Sequence, residues 1–184
     1  HGCDLDLAQQ RKINLLLQAA RVLTVDVGAP ERAGSMAERV LSVKPDHPEA
    51  LELLARLKAK SGDKNAAVDA VRKLAEAESD KAKKADFYVR AGRILEEAGD
   101  KDGAIAQYKL ALDANKDDAN AAAALRAVYA SRGDAHGAAD LLQREIEVTE
   151  GASKKAQLFA ELGKLRRDRL KDDAGAKDAF KKAI

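Results

Sequence analysis

The sequence predicts an all-α protein in which about five helical hairpins stack side by side. Charged residues make up 35% of the chain, apolar residues 46% and aromatic residues only 3%, and this composition favours amphipathic helices over strands. Apolar residues recur at the 3.6-residue spacing of a helix. Three Gly-Asp pairs, Gly62-Asp63, Gly99-Asp100 and Gly133-Asp134, interrupt the helical pattern at intervals of 37 and 34 residues, as turns between repeated helices do.

The first hairpin is predicted over residues 5–44. A long helix from Leu5 to Asp26 has apolar residues on one face, and Gly28 is expected to end it as a left-handed cap. Pro30 suits the first turn of the second helix, because the N–H that proline lacks has no partner inside a helix. That helix stops before Pro45.

The other hairpins follow the same plan within one domain covering residues 1–184. Pro48 opens a third helix, and Ser61-Gly62-Asp63 links it tightly to a fourth. An isolated hairpin cannot bury both of its apolar faces, so each is expected to be covered by its neighbours. The predicted limits of the four further hairpins are 48–79, 80–115, 118–149 and 153–184.

Extra residues at 79–84 and 150–155 make the repeat length uneven. We expect them to lengthen the fifth and ninth helices at their starts, with Asp80 or Ser153 near the N-cap. These two helices should therefore be longer than the third and seventh. One further residue lies in the turn at 171–174.

Small and aromatic side chains are predicted to interlock within each hairpin. Gly92 and Gly163 fall where the two helices approach most closely, and alanines such as Ala104 fall where the second helix packs on the first. Four aromatic residues are interpreted as core residues at these positions. They are Tyr88, Tyr108, Phe159 and Phe180.

The third hairpin carries a family resemblance. Just after a turn, the stretch 99–112 places Ala104 and Tyr108 at helical spacing, and Tyr88 and Gly92 precede the turn. This arrangement resembles a tetratricopeptide repeat, a helical hairpin of about 34 residues. The resemblance implies a right-handed superhelix whose first helices line a concave inner face.

The resemblance also implies a function in protein binding, because the family generally grips a peptide or a helix of a partner on that inner face. It does not identify the partner. The runner-up is a structural spacer or a self-assembling array. The inner-face positions carried over to this chain are Glu52, Arg56, Lys60, Val89, Arg90, Arg93, Glu97, Asn120, Ala123, Ala127, Ala130, Ala160, Lys164 and Arg167.

The arginines of this set leave two interpretations open. Arg56, Arg90 and Arg93 could contact an acidic segment, since arginine forms paired hydrogen bonds with carboxylates. Alternatively, they pair with Glu52 and Glu97 on their own helices as ordinary surface ion pairs.

Several functional classes are disfavoured. The net charge of +2 is too small for a broad nucleic-acid-binding field. His1, His47 and His136 form no metal-binding motif with each other or with cysteines, and no nucleophile has a recognisable base. We therefore expect no enzyme activity, metal or cofactor. No apolar run reaches the roughly 18 residues that a transmembrane helix requires.

Both ends of the chain raise alternatives. Gly2-Cys3 resembles the cleavage site of bacterial lipoproteins, which would make the chain a lipid-anchored periplasmic assembly factor, although an ordinary thiol explains Cys3 equally simply. Ile184 falls in the middle of a helical pattern, so either further repeats or a second copy would cover that end. The compartment, cytoplasmic or periplasmic, stays open.

Overall fold

The protein is an all-α solenoid. The computed structural model describes residues 2–25 and 29–184, and these ranges contain helices and turns but no strand. A π-helical turn, Arg166–Leu170, separates the last two helices. The helices are α1 Gly2–Val25, α2 Pro30–Val43, α3 Pro48–Ser61, α4 Lys64–Ala77, α5 Lys81–Glu97, α6 Lys101–Ala114, α7 Ala119–Arg132, α8 Ala135–Val148, α9 Ala152–Leu165 and α10 Asp173–Lys182.

Each helix packs mainly on the helices that precede and follow it in the chain. Odd-numbered helices are the first helices of hairpins, and even-numbered helices are the second. Neighbouring first helices also meet directly where α5 contacts α7. Contacts of this nearest-neighbour kind are those of a linear repeat array, in which stability is a sum of interfaces between units.

The apolar interior divides into three clusters along the array. One joins α1, α2 and α3, a central cluster runs from α3 to α8, and a third joins α8, α9 and α10. Leu41 and Leu54 pack against both of the first two clusters. Helix α8 divides its apolar residues, since Leu141 belongs to the central cluster and Leu142 to the third.

The Gly-Asp turns form as predicted. Gly62, Gly99 and Gly133 have φ angles of +87°, +82° and +71°, a left-handed conformation that glycine adopts without strain. The following residues, Asp63, Asp100 and Asp134, cap α4, α6 and α8 by accepting a hydrogen bond from a backbone N–H three residues later.

Some expectations for the N-terminal region lie outside the described residues. These are the cap at Gly28, any role of His1, and the side chains of Cys3 and Leu5. The lipid-anchor alternative depends on Cys3 and therefore stays a prediction.

The prediction of a longer fifth helix is confirmed. Helix α5 has 17 residues, against 14 in α3 and in α7, and Asp80 caps it by accepting a hydrogen bond from the Lys83 N–H. The matching prediction for α9 holds for its start. Ala152 begins α9 11 residues before Gly163, as Lys81 begins α5 11 residues before Gly92, and the π-helical turn Arg166–Leu170 continues the 14 residues of α9 without a break. The N-cap is Gly151 rather than Ser153.

The aromatic residues are buried less uniformly than predicted. Tyr108 is fully buried, as expected, whereas Tyr88, Phe159 and Phe180 are only half-buried. Cationic side chains lie over two of these rings. The guanidinium of Arg167 lies 5.7 Å from the ring centre of Phe180, and Lys182 Nζ lies 5.8 Å from that of Phe159.

Candidate functional site

In the third hairpin, an aromatic ring of the second helix lies in the space left where glycine of the first helix has no side chain. We call this glycine position the notch. Tyr108 of α6 packs so closely on Gly92 of α5 that a Cβ at position 92 would overlap the ring. The Tyr108 hydroxyl donates a hydrogen bond to Glu96, and burial together with this bond raises the pKa of Tyr108. The fifth hairpin repeats the arrangement, because a Cβ on Gly163 would lie 2.8 Å from the ring of Phe180. The predicted close approaches are confirmed.

The fourth hairpin lacks this interlock. Counted from the turn glycine of each hairpin, Arg126 of α7 occupies the position of Gly92, and Leu142 of α8 occupies the position of Tyr108. A long charged side chain thus replaces the notch, and a smaller aliphatic one replaces the aromatic ring. The two helices must pack differently as a result.

The aromatic residue of the fourth hairpin lies on the first helix instead of the second. Tyr129 of α7 is 6% exposed and packs on Gly137 of α8, where a Cβ would lie 2.6 Å from the ring. This contact is close to the turn. Towards the other end of the hairpin, polar side chains take the place of an aromatic contact.

A half-buried ion cluster forms there. Arg126 Nη1 lies 3.0 Å from Glu145 Oε2 and 3.8 Å from Glu161 Oε2, which joins α7 to α8 and α9. The side chain of Glu145 is 14% exposed, and its Oε1 has no hydrogen-bond partner. Burial raises the pKa of Glu145, although Arg126 acts in the opposite direction.

Three cavities adjoin α8. One of them, about 550 Å³, lies between α6, α7 and α8, and we call it the outer groove. A smaller cavity of about 200 Å³ lies between α7, α8 and α9, and Glu145 and Val148 line both. A third, about 220 Å³, lies between α8 and the α9–α10 hairpin.

The outer groove has an apolar floor and a charged rim. Its floor consists of Leu112, Leu125, Tyr129 and Leu141, with Val148 at one margin. The carboxylates that line it are those of Asp113, Asp134, Asp140, Glu145 and Glu147, and the Lys and Arg side chains are Lys109, Lys116 and Arg144, alongside His136. The sequence did not point to this groove.

Most residues predicted for the inner face are on the surface. Val89 is the exception, because it is 5% exposed and belongs to the central core cluster, so it is a core residue rather than a surface contact. Arg90 is half-buried and Arg167 is exposed. Ala160 is also half-buried. The other exposed members of the predicted set are Glu52, Arg56, Lys60, Arg93, Glu97, Asn120, Ala123, Ala127, Ala130 and Lys164.

Glu52 and Glu97 form ion pairs between hairpins and not with the arginines of their own helices, which corrects the second interpretation of the arginines. Arg90 Nη1 lies 2.9 and 2.6 Å from the two carboxylate oxygens of Glu52, linking α5 to α3. Glu97 pairs with Lys64 of α4 at 2.8 Å. Arg167 Nε lies 2.7 Å from its neighbour Asp168.

Four exposed cations of the predicted set make no such pair. Arg56, Lys60, Arg93 and Lys164 have no carboxylate within ion-pair distance anywhere in residues 7–24 and 29–184. Arg56, Arg93 and Lys164 each directly follow the notch position of their first helix, and Ala127 follows it in α7. We call these three cations and Ala127 the inner row.

Two kinds of site are absent from the described part of the chain. None of its helices is both long and apolar enough to span a membrane. Across the same residues, no three His, Cys, Asp or Glu side chains cluster in a way that could hold a metal ion.

Comparison with known proteins agrees with this architecture. Residues 85–118, which include Gly92 and Tyr108, match the tetratricopeptide repeat family. No curated protein matches the sequence significantly.

Similar solved structures cover nearly the whole chain. A crystal structure of MamA protein has 20% identity and a TM-score of 0.56, covering 95% of this chain and 91% of that one. MamA from residue 41 to its end, from Desulfovibrio magneticus RS-1, has 19% identity and a TM-score of 0.52, covering 94% and 93%. YrrB, described as a TPR protein with an unusual peptide-binding site, has 19% identity and a TM-score of 0.51, covering 92% and 83%. Residues 85–118 are thus a tetratricopeptide repeat, and the chain has the fold of tetratricopeptide-repeat proteins.

Proposed function

We propose that this chain is a non-catalytic protein-interaction scaffold that holds an acidic peptide segment along the inner row. The observation that carries the proposal is the contrast between Arg90, which Glu52 holds with both oxygens, and the cations of the inner row, which no carboxylate of the described residues neutralises. A cation that is exposed and unpaired can bind a carboxylate of a partner without first losing one within its own chain.

The spacing of the inner row fits an extended segment. First helices of neighbouring hairpins lie about 8–10 Å apart when they pack, and three residues of an extended chain cover about 9–10 Å. A peptide crossing the first helices with an acidic residue at every third position would therefore place successive carboxylates near Arg56 and Arg93. The methyl group of Ala127 leaves room for the backbone of the peptide to approach α7.

Two further points support a binding role. YrrB, which shares the fold, is described as having a peptide-binding site, and the fold itself presents a row of equivalent positions on successive first helices. The alternative of a purely structural spacer draws on the ion pairs between hairpins, such as Lys64 with Glu97, which tie neighbouring units together.

The experiment uses a labelled peptide with Glu at every third position and Pro-Ser between, which keeps the peptide extended. Fluorescence anisotropy would compare the native protein with the triple variant R56E/R93E/K164E. We expect at least about tenfold weaker binding in the variant, because three attractive contacts become repulsive. A peptide of the same composition with adjacent glutamates should bind more weakly than the spaced one.

A matched control makes the test specific. The variant K73E/K83E/K181E changes the net charge by the same amount at three exposed lysines outside the inner row. It should bind the spaced peptide as the native protein does. Undiminished binding by R56E/R93E/K164E, or an equal loss in the control, would rule out the inner row as the site.

A further inference from the structure

The outer groove is acidic in a chain that is slightly basic overall. Five carboxylates line it against three Lys or Arg side chains, whereas the whole chain has a net charge of +2. The buried Oε1 of Glu145 is unpartnered at its lining. The floor is apolar, and Val148, 36% exposed, extends it to the surface. An occupant that matches these features must carry apolar side chains together with a cation.

Helix α1 presents such a surface. Leu7, Leu15 and Val22 are 58%, 67% and 44% exposed, and they recur at intervals of about two helical turns. Exposed Arg11 lies between the two leucines on the same side of the helix. We call these four residues the α1 stripe. The opposite side of α1, with Ile13 and Leu16, is buried against α2 and α3.

We propose that the α1 stripe of one copy of this chain docks into the outer groove of a second copy. The apolar side chains of the stripe would cover the floor, and Arg11 would face the surplus of carboxylates. Both halves of the contact are present on one chain, and their polarity and charge are complementary, which argues for a second copy over an unrelated partner. This surface is separate from the inner row.

The two halves lie on different hairpins, so the contact is heterologous. Each bound pair retains a free stripe at one end and a free groove at the other, and association proceeds head to tail unless it closes into a ring. This asymmetry distinguishes the proposal from a symmetric dimer.

Analytical ultracentrifugation of the full chain over a range of concentrations tests the proposal. We expect the average mass to rise with concentration. Leu15→Glu and Val148→Glu should each raise the dissociation constant at least about tenfold, because each places a carboxylate in an apolar contact. Asp140→Lys, at an exposed position on the rim, provides a second groove variant that leaves the floor intact and should also weaken association.

Two controls match these variants. Leu110→Glu changes a leucine of α6 that is 38% exposed and does not line the groove, and Gln9→Glu adds the same charge at an exposed position on the other side of α1 from the stripe. Neither should alter association. The triple variant R56E/R93E/K164E should also associate normally, so that a failure of peptide binding and a failure of self-association are separately visible.

A mixture of the two defective variants gives the sharpest readout. Leu15→Glu retains a working groove and Val148→Glu retains a working stripe, so an equal mixture should form a species of twice the monomer mass that grows no further. A native chain that stays monomeric up to about 1 mM, a range in which only very weak contacts escape detection, would overturn the proposal. Association insensitive to the stripe and groove variants, or a mixture that forms no dimer, would overturn it equally.

Discussion

The third and fourth hairpins hold their two helices together with different residues at equivalent positions. In α5–α6 a glycine notch receives the buried ring of Tyr108, whereas in α7–α8 the equivalent positions hold Arg126 and Leu142. The second arrangement places a half-buried ion pair between the helices, and three cavities adjoin α8. The third hairpin is thus held by an aromatic interlock, whereas polar side chains take that place in the fourth.

Both proposed surfaces include the fourth hairpin. The outer groove lies between α6, α7 and α8, and the inner row has its one small, uncharged member, Ala127, on α7. The fourth hairpin therefore contributes to the groove and is the least charged unit along the inner row.

Replacing Tyr108 or its counterpart Leu142 with alanine should reveal the largest difference in stability between the two hairpins. Tyr108→Ala is expected to lower the free energy of unfolding by about 3–5 kcal/mol, as removal of a fully buried aromatic ring does. Leu142→Ala should cost less, about 2–3 kcal/mol, because the removed side chain is smaller than a tyrosine ring. Urea denaturation of both variants measures the difference. Equal losses would mean that the two hairpins are equally well packed.

Replacing equivalent alanines of the two hairpins with leucine should have the next largest effect on the free energy of unfolding. Ala104 of α6 is fully buried and Ala138 of α8 is half-buried at the same place in its hairpin, while Ala106 is exposed. Ala104→Leu should cost about 1–3 kcal/mol through overpacking, and Ala138→Leu less than that. Ala106→Leu serves as the control and should leave the melting temperature nearly unchanged. Equal melting temperatures for Ala104→Leu and Ala106→Leu would mean that the face of α6 assigned to the core is incorrect.

The ion cluster of the fourth hairpin should give the molecule a distinctive pH dependence. Because burial raises the pKa of Glu145, folding favours its protonated form, and this contribution to stability is complete below the ordinary pKa of 4.5 and lost as the pH rises through the raised value. The free energy of unfolding of the native protein, measured relative to that of Glu145→Gln, should therefore be greater at pH 4 than at pH 7. A difference that does not change between these pH values would contradict the burial of this carboxyl group.

The exposed ion pair between α3 and α5 should matter least. A double-mutant cycle with Arg90→Gln and Glu52→Gln is expected to give a coupling energy of about 0.2–1 kcal/mol that 1 M salt largely removes. The same cycle on Arg126 and Glu145 should retain more of its coupling at high salt, because that pair is less exposed. Equal salt sensitivity of the two pairs would argue against the half-buried geometry in the fourth hairpin.

Much of the fold was predictable because its determinants are local. The turn at Gly99-Asp100 needs a left-handed residue followed by a side chain that caps the next helix, and Gly-Asp supplies both within two positions. The glycine notches followed from the same alignment, since Gly92 and Tyr108 fall at fixed distances from that turn. Local chemistry and repeat spacing together defined the helices to within a few residues.

The features that the sequence did not reveal depend on long-range geometry. Inserted residues at 150–155 showed that the fifth hairpin differs and that its first helix starts earlier, but the count could not say that this helix would also widen at Arg166–Leu170. Val89 and Arg90 are adjacent in the sequence, and helical periodicity alone did not decide which of them faces the core. The pairing of Arg90 with Glu52 joins residues 38 positions apart.

Native-state hydrogen exchange tests the central contrast between the two hairpins most directly. The backbone amides of α6 should exchange only through large-scale unfolding, whereas those of α8 should open with a lower free energy and exchange at least about tenfold faster under the same conditions. Protection of α8 equal to that of α6 would contradict the account, because it would show that the cavities and the buried ion pair leave the fourth hairpin as firmly held as the third.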